Sequence, residues 1–118
     1  MTFEIRTLER ERVIDLVFSG LVTIPERLQA MKAVVTASRT NGFTRLLADF
    51  SQANMRVEAH SDVLEYAERL ALEPTLHKMA IAYVGTQEQT AGVEGVAALR
   101  GYFFQRFFTR EAALRWLS

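Results

Sequence analysis

The sequence predicts an α/β domain: a mixed, mostly parallel five-stranded sheet with an N-terminal β-hairpin and four helices. Apolar segments of strand length alternate with segments of helical periodicity, in the order ββαβαβαβα. The chain has 118 residues, a common size for one hydrophobic core. No linker, repeat or low-complexity segment interrupts it. Residues 1–118 are therefore expected to fold as a single domain.

The amino-acid composition limits the classes of binding partner that we expect. The chain carries 14 lysine and arginine residues and 14 aspartate and glutamate residues, so its formal net charge is zero. A neutral chain has no broad positive field to attract nucleic acid, and it does little to keep copies of itself apart, which favours a homodimer. Cysteine is absent, and neither a signal peptide nor a membrane-spanning run can be recognised. We expect a cytoplasmic protein without stable membrane insertion.

The first strands follow from apolar patterning. Residues 3–6 alternate apolar and charged side chains, and a second apolar run, Val13–Phe18, completes the hairpin and is expected to end before Gly20. The apolar run Phe43–Phe50 is typical of a central strand covered by helices. Residues 52–60 show no clear period and predict a connection.

The first helix has a recognisable start. Thr23 precedes Glu26 by three residues, with Pro25 in the first turn, which is the pattern of a capping box. The residues expected to face the core are Ile24, Leu28, Met31 and Val35. The basic residues on the opposite, solvent-facing side are Arg27, Lys32 and Arg39.

The second half continues the alternation of helices and strands. Ser61 is predicted as the N-cap of a helix that runs to about Ala71, and Pro74 prevents its continuation. Met79–Val84 is a buried strand, and Thr90–Arg100 keeps a helical spacing. The residues of these two helices expected to face the core are Val63, Ala67 and Leu70, followed by Val93, Val96, Ala97 and Leu99.

The C-terminal segment is rich in aromatic residues. With Gly101 as a helix cap, Tyr102–Phe108 becomes the last strand; the alternative is that the third helix continues to Phe104. Thr109 then caps a terminal helix. Alternate side chains of a strand face opposite sides, so five aromatic side chains cannot all point into one core. Either helices cover them, or an apolar pocket or partner surface is formed by Tyr102, Phe104, Phe107 and Trp116.

Two polar residues mark the best location for a site. Asp49 lies near the carboxyl end of a predicted central strand, where open α/β sheets commonly bind ligands, and Ser51 follows on the expected loop. The alternative is that Asp49 binds local backbone and Ser51 only turns the chain. We predict no catalytic residue, cofactor or metal site, because His60 and His77 lack metal-ligand spacing and nucleophile-elbow and phosphate-loop motifs are absent.

Two segments resemble a known family. The segment Arg45-Leu46-Leu47-Ala48-Asp49-Phe50-Ser51 is similar to a strand that ends in Asp-x-Ser. Gly101 and the run from Arg106 to Leu117, with its Glu-Ala-x-x-Arg-Trp-Leu helix, resemble the C-terminal strand and helix of small bacterial members. On these motifs and the opening hairpin, the chain resembles the SpoIIAA-like group, which includes STAS domains and Sec14-type lipid-binding domains.

The resemblance implies two kinds of function. STAS antagonists bind a kinase partner and are switched by phosphorylation of a serine in an Asp-Ser-Ser-Gly-type motif; here Ser61 occupies the comparable helix start without that motif, between His60 and Asp62. We expect a non-enzymatic regulatory or protein-interaction module that presents the surface around Asp49, Ser51 and Ser61. The alternative functions are a carrier of an apolar ligand, such as a lipid or acyl chain, and an enzyme of unknown class.

Overall fold

The computed structural model describes residues 2–118 and confirms the predicted fold class. The ten elements follow the predicted order, with one short helix added between the second helix and the fourth strand. Their bounds are β1 Phe3–Leu8, β2 Val13–Val22, α1 Ile24–Asn41, β3 Arg45–Met55, α2 His60–Ala71, α3 Pro74–His77, β4 Ala80–Val84, α4 Gln87–Arg100, β5 Phe103–Phe107 and α5 Arg110–Leu117.

The sheet keeps its strands in chain order, β1-β2-β3-β4-β5. β1 and β2 are antiparallel and form the predicted hairpin, whereas β2, β3, β4 and β5 are parallel neighbours. The crossover helices α1 to α4 all lie on one face of the sheet, and α5 packs on the other. β1 and β5 are therefore the two edges.

Each face of the sheet has its own apolar core. The larger core joins alternate residues of the strands, such as Ile14, Leu16 and Leu46, to the buried sides of α1 to α4. The smaller core lies under α5, where Ala113 and Leu117 pack on Leu47 and on residues of neighbouring strands. The single short helix α5 thus covers the second face mainly over the centre of the sheet.

Two strands are longer than predicted. β2 continues through Gly20 to Val22, and β3 continues past Phe50 to Met55, so the predicted connection at 52–60 was wrong at its start. The reason is that residues 19–22 pair with residues 52–55 after a bulge. This pairing gives their backbone groups hydrogen-bond partners beyond the end of β4. Gly20 adopts a left-handed φ of 71° there rather than ending the strand.

The starts of α1 and α2 also differ from prediction. Thr23 is the N-cap of α1, but its hydroxyl donates to the Glu26 carboxylate (2.9 Å) instead of accepting from the helix backbone, so no capping box forms. The Ile24 N–H donates to the Glu58 carboxylate instead (3.2 Å). In α2 the N-cap is Ala59, and Ser61 lies inside the first turn. A capping box does form at α4, between Thr86 and Gln89.

Several helix faces are rotated from the predicted ones. In α1 the buried side includes Arg27, which we expected in solvent, while Leu28 and Met31 are only half-buried. In α4 Leu99 is exposed, and the buried Thr90 belongs to the inward face instead. The apolar pattern alone misplaced these faces because α1 and α4 each lie against α2 as well as against the sheet.

The end of α4 decides between the two predictions for the start of the last strand. Gly101 caps α4 in a left-handed conformation (φ 72°), and the chain enters β5 at Phe103. The helix therefore does not continue to Phe104. Among the helices formed by residues 2–118, none has the length and apolar character needed to cross a membrane.

Substitution of two glycines by alanine should change the free energy of unfolding in opposite directions. Gly85 has a φ of 152°, and an added Cβ would lie 3.0 Å from Gln89 Oε1 and 3.2 Å from Thr90 Cγ2. Gly85→Ala should lower the free energy of unfolding by about 1–3 kcal/mol. Gly92→Ala should raise it by about 0.5–1 kcal/mol, because that helical position has open space. Urea denaturation measures both, and a Gly85→Ala protein as stable as the parent would contradict the packing described.

Candidate functional site

The structure separates the three residues of the predicted regulatory surface. Asp49 is buried in β3 and points to the α5 side of the sheet. Ser51 is exposed but lies within β3, not on a loop, and its N–H donates to Asp49 Oδ1 (2.9 Å). Ser61 is exposed in the first turn of α2. Of the hydrogen bonds among residues 2–118, none connects Ser61 to the other two.

A buried ionic cluster occupies the α5 side of the sheet. Asp15 in β2 is fully buried, and Arg110, the first residue of α5, binds it bidentately at 2.7 and 3.1 Å. The same guanidinium donates to Asp49 Oδ2 at 3.1 Å. Arg110 thus joins two neighbouring strands to the terminal helix, and we call these three residues the Arg110 bridge.

The charges of the Arg110 bridge are balanced locally. Arg6 in β1 donates from Nε to Asp15 Oδ2 at 3.0 Å, so two guanidinium groups face two carboxylates. The hydrogen bonds that Arg110 donates to Asp15, and secondarily to Asp49, raise the pKa of Arg110 above its ordinary value despite partial burial. Because each carboxylate is engaged by arginine, the cluster is built to hold α5 on the sheet.

Sequence reasoning missed the Arg110 bridge, although one signal for it was present. Asp15 interrupts the apolar run Val13–Phe18 at a position that alternates with core residues. A carboxylate at such a position is buried, and a buried charge needs a partner. The partner itself could not be identified, because Arg110 is 95 residues away along the chain.

The predicted aromatic pocket is divided between the two faces of the sheet. Tyr102 is buried in the larger core, where Phe104 also packs, with its ring 5.8 Å from that of Tyr83. Phe107 and Trp116 lie on the α5 side, with ring centroids 5.6 Å apart. The four residues therefore do not line one pocket.

The α5 side instead carries an aromatic surface at the β5 edge. Phe103, which is 64% exposed, stacks on the Trp116 indole with ring centroids 5.3 Å apart. Phe107 packs against the same indole. We call Phe103, Phe107 and Trp116 the β5 aromatic surface. Of the four residues predicted to form a pocket or partner surface, Phe107 and Trp116 thus lie in the β5 aromatic surface, where both are half-buried.

The larger core contains a cavity of about 70 Å³. Its wall is mainly apolar, with Leu16, Leu46 and Leu70 among the lining residues. Two polar side chains break this lining on its helix side, Arg27 from α1 and Tyr66 from α2, and the guanidinium carbon lies 4.7 Å from the centre of the tyrosine ring.

All three tyrosines of the chain line this cavity. Burial raises the pKa of Tyr66 and of Tyr83, and it raises the pKa of Tyr102 to about 12. The Tyr102 hydroxyl donates to the Leu70 carbonyl at 2.8 Å. The cavity wall therefore stays free of phenolate charge at neutral pH.

His60 and His77 are both exposed, and His77 packs edge-on against Tyr102 with ring centroids 4.7 Å apart. In the part of the chain that the structure describes, no group of three or more histidine, aspartate or glutamate residues is arranged to hold a metal ion.

Removal of Arg110 should destabilise the fold strongly. Arg110→Met leaves Asp15 and Asp49 buried with less compensating charge, which should cost about 3 kcal/mol in the free energy of unfolding. Arg115→Met in the same helix removes only an exposed pair with Glu111 and should change stability by less than about 0.5 kcal/mol. Equal losses in urea denaturation would show that the Arg110 bridge does not fasten α5.

The tyrosines predict a loss of stability at high pH. Unfolded tyrosine ionises near pH ~10, whereas each tyrosine of the folded chain keeps its proton to a higher pH. The unfolded state therefore binds fewer protons above pH ~10, and stability falls as pH rises from there. Ultraviolet titration should show tyrosinate appearing only above that pH, together with unfolding. Tyrosinate formation near pH ~10 in the folded protein would contradict the burial of these side chains.

Comparisons with known proteins agree with this architecture. No protein-family model matches the chain, and no curated protein matches it. Among solved structures, it is similar to an uncharacterised protein of the DUF3478 family with a SpoIIAA-like fold from Shewanella loihica PV-4. The two share 18% sequence identity over 98% of this chain and 92% of the other, with a TM-score of 0.61. The predicted resemblance is confirmed at the level of the fold: this chain has a SpoIIAA-like fold.

Proposed function

We propose that the protein is a non-enzymatic, STAS-like interaction module that acts in the cytoplasm and binds through the free edge of β5. The observation that carries this proposal is the β5 aromatic surface, which places Phe103 in solvent beside an unpaired strand edge. Exposed aromatic side chains beside such an edge combine apolar area with free backbone hydrogen-bonding groups. A partner strand can use both at once.

The two edges of the sheet differ in a way that supports this choice. The exposed side chains of β1 are Glu4 and Arg6, and charged residues on an edge strand discourage pairing with another chain. The exposed side chains of β5 are Phe103 and Gln105, neither of which is charged. The single charged residue of β5, Arg106, forms an ion pair with Glu94 of α4, with 3.5 Å between Nε and Oε1. β5 is the edge without protection.

A second copy of the chain fits this edge. If two β5 strands paired antiparallel about a two-fold axis at Gln105, Phe103 of one copy would lie opposite Phe107 of the other, next to Trp116. Such an interface is self-complementary and would extend the sheet to ten strands. The zero net charge sets no long-range repulsion against it.

Regulation of such a module has two candidate positions. Ser51 and Ser61 are both exposed and accessible to modification, and they remain our proposal for a regulatory surface. The Asp49 carboxylate contributes differently, because it is engaged by Arg110 and by the Ser51 N–H. Asp49 would connect Ser51 to the Arg110 bridge and not meet a partner itself.

A second candidate function, binding of an apolar small ligand, is favoured by the cavity in the larger core. Its volume of about 70 Å³ is near half of the roughly 150 Å³ that holds benzene in an apolar protein cavity. A lipid or long acyl chain does not fit this space. The ligand of this second function would be a molecule of a few heavy atoms.

Self-pairing through β5 can be tested by substitution. Sedimentation equilibrium should show a concentration-dependent dimer for the parent protein. Phe103→Lys should shift it to monomer, because it removes apolar contact area from the interface and places a charge on the edge strand. Leu72→Lys makes the same change at another exposed apolar residue, 82% exposed, and should leave the dimer intact. A parent protein that stays monomeric, or a dimer that survives Phe103→Lys, would overturn the proposal.

A further inference from the structure

We infer that the cavity in the larger core is a binding site for a short-chain carboxylate, with Arg27 as the residue that recognises the carboxylate group. The inference rests on the second candidate function and names its ligand class. It begins from one unusual feature of the core: an arginine on the wall of an otherwise apolar cavity.

Arg27 is a buried cation with an unused donor. Only 8% of the residue is exposed, and its Nε–H has no hydrogen-bond acceptor. Among residues 2–118, no carboxylate forms an ion pair with it. Buried charges are normally paired, because an isolated charge is costly in an apolar core. The Arg27 Nε–H is therefore a buried donor that is available to a ligand.

The contact with Tyr66 does not occupy this donor. The guanidinium lies over the Tyr66 ring, and this cation–π contact stabilises its positive charge. The N–H groups of arginine lie in the guanidinium plane, so stacking leaves them free to donate. The geometry of these donors matches the two oxygens of a carboxylate.

The rest of the cavity selects the size and character of the ligand. The wall is mainly apolar, with leucine and phenylalanine side chains among the lining residues, so the part of the ligand beyond its charged group must be apolar. A volume of about 70 Å³ corresponds to roughly two water-sized groups at about 30 Å³ each. Tyr66 and Tyr83 remain protonated and add no negative charge that would repel a carboxylate. Propionate, which has two carbons beyond its carboxylate group, is a molecule of this size and charge.

A surface groove supplies a route to the cavity. The groove lies between α1 and α2, and Tyr66 lines both the groove and the cavity. The groove carries basic residues, including Lys32 and Arg69, close to acidic ones such as Glu65. Rotation of the Tyr66 ring away from Arg27 would open the cavity to the groove and uncover the guanidinium at the same time.

Methyl-detected NMR of the full chain tests the inference directly. Leucine and valine methyl groups that line the cavity, among them those of Leu16, Val34 and Val93, report on its occupancy. Propionate at neutral pH should shift these signals, and the neutral propionamide should bind at least tenfold more weakly. If the acid and the amide bind equally, the role of Arg27 is wrong while the ligand-binding function stands. If neither binds, the ligand-binding function itself is overturned.

Variants provide a second measurement. Arg27→Gln should weaken propionate binding by about tenfold or more, the loss expected for one charge-assisted hydrogen bond, and should bring its affinity close to that of propionamide. Lys32→Gln removes a basic residue of the outer groove and should leave propionate affinity within about twofold, because an exposed charge contributes little. Equal losses in both variants would contradict recognition by Arg27. Should Arg27→Gln fail to fold, the comparison of acid and amide on the parent protein decides the question alone.

Discussion

The Arg110 bridge is the interaction on which the α5 side of the structure depends. Two carboxylates on adjacent parallel strands are buried at the centre of the sheet, and neither could stay there charged without a cation close by. The chain supplies that cation from the first turn of its terminal helix. The position of α5 is thus fixed by charge at its start and by the apolar contacts of Ala113 and Leu117 further along.

This placement has consequences for the surface. One eight-residue helix held at the centre of the sheet leaves the β5 edge uncovered, and Trp116 extends from α5 toward that edge to meet Phe103 and Phe107. The other face is covered by four helices, and a charged residue buried beneath them, Arg27, lies on the wall of the cavity. The two faces therefore suggest separate roles, with partner binding on the α5 side and ligand binding within the larger core. Among the described residues, Arg110 has two carboxylate partners, whereas Arg27 has none.

Local patterns predicted the fold well because they reflect local physics. Apolar runs gave the strands, and Gly101 and Thr109 were correctly read as helix boundaries from their own backbone preferences. The features that were missed depend on distant parts of the chain. The extension of β3 depends on its pairing with β2, the cap of α1 depends on Glu58, and the burial of Arg27 depends on α2. The candidate site was harder still. Asp49 was singled out for its position near the end of a strand, but its partner Arg110 is brought close only by the complete sheet.

Amide hydrogen exchange at increasing protein concentration tests whether the free edge of β5 is the interaction surface that we propose. The outward-facing amides of β5 should become more protected as concentration rises, while those of β1, the charged edge, should not change. Exchange at β5 that is independent of concentration, or protection that grows at β1 instead, would contradict the proposal.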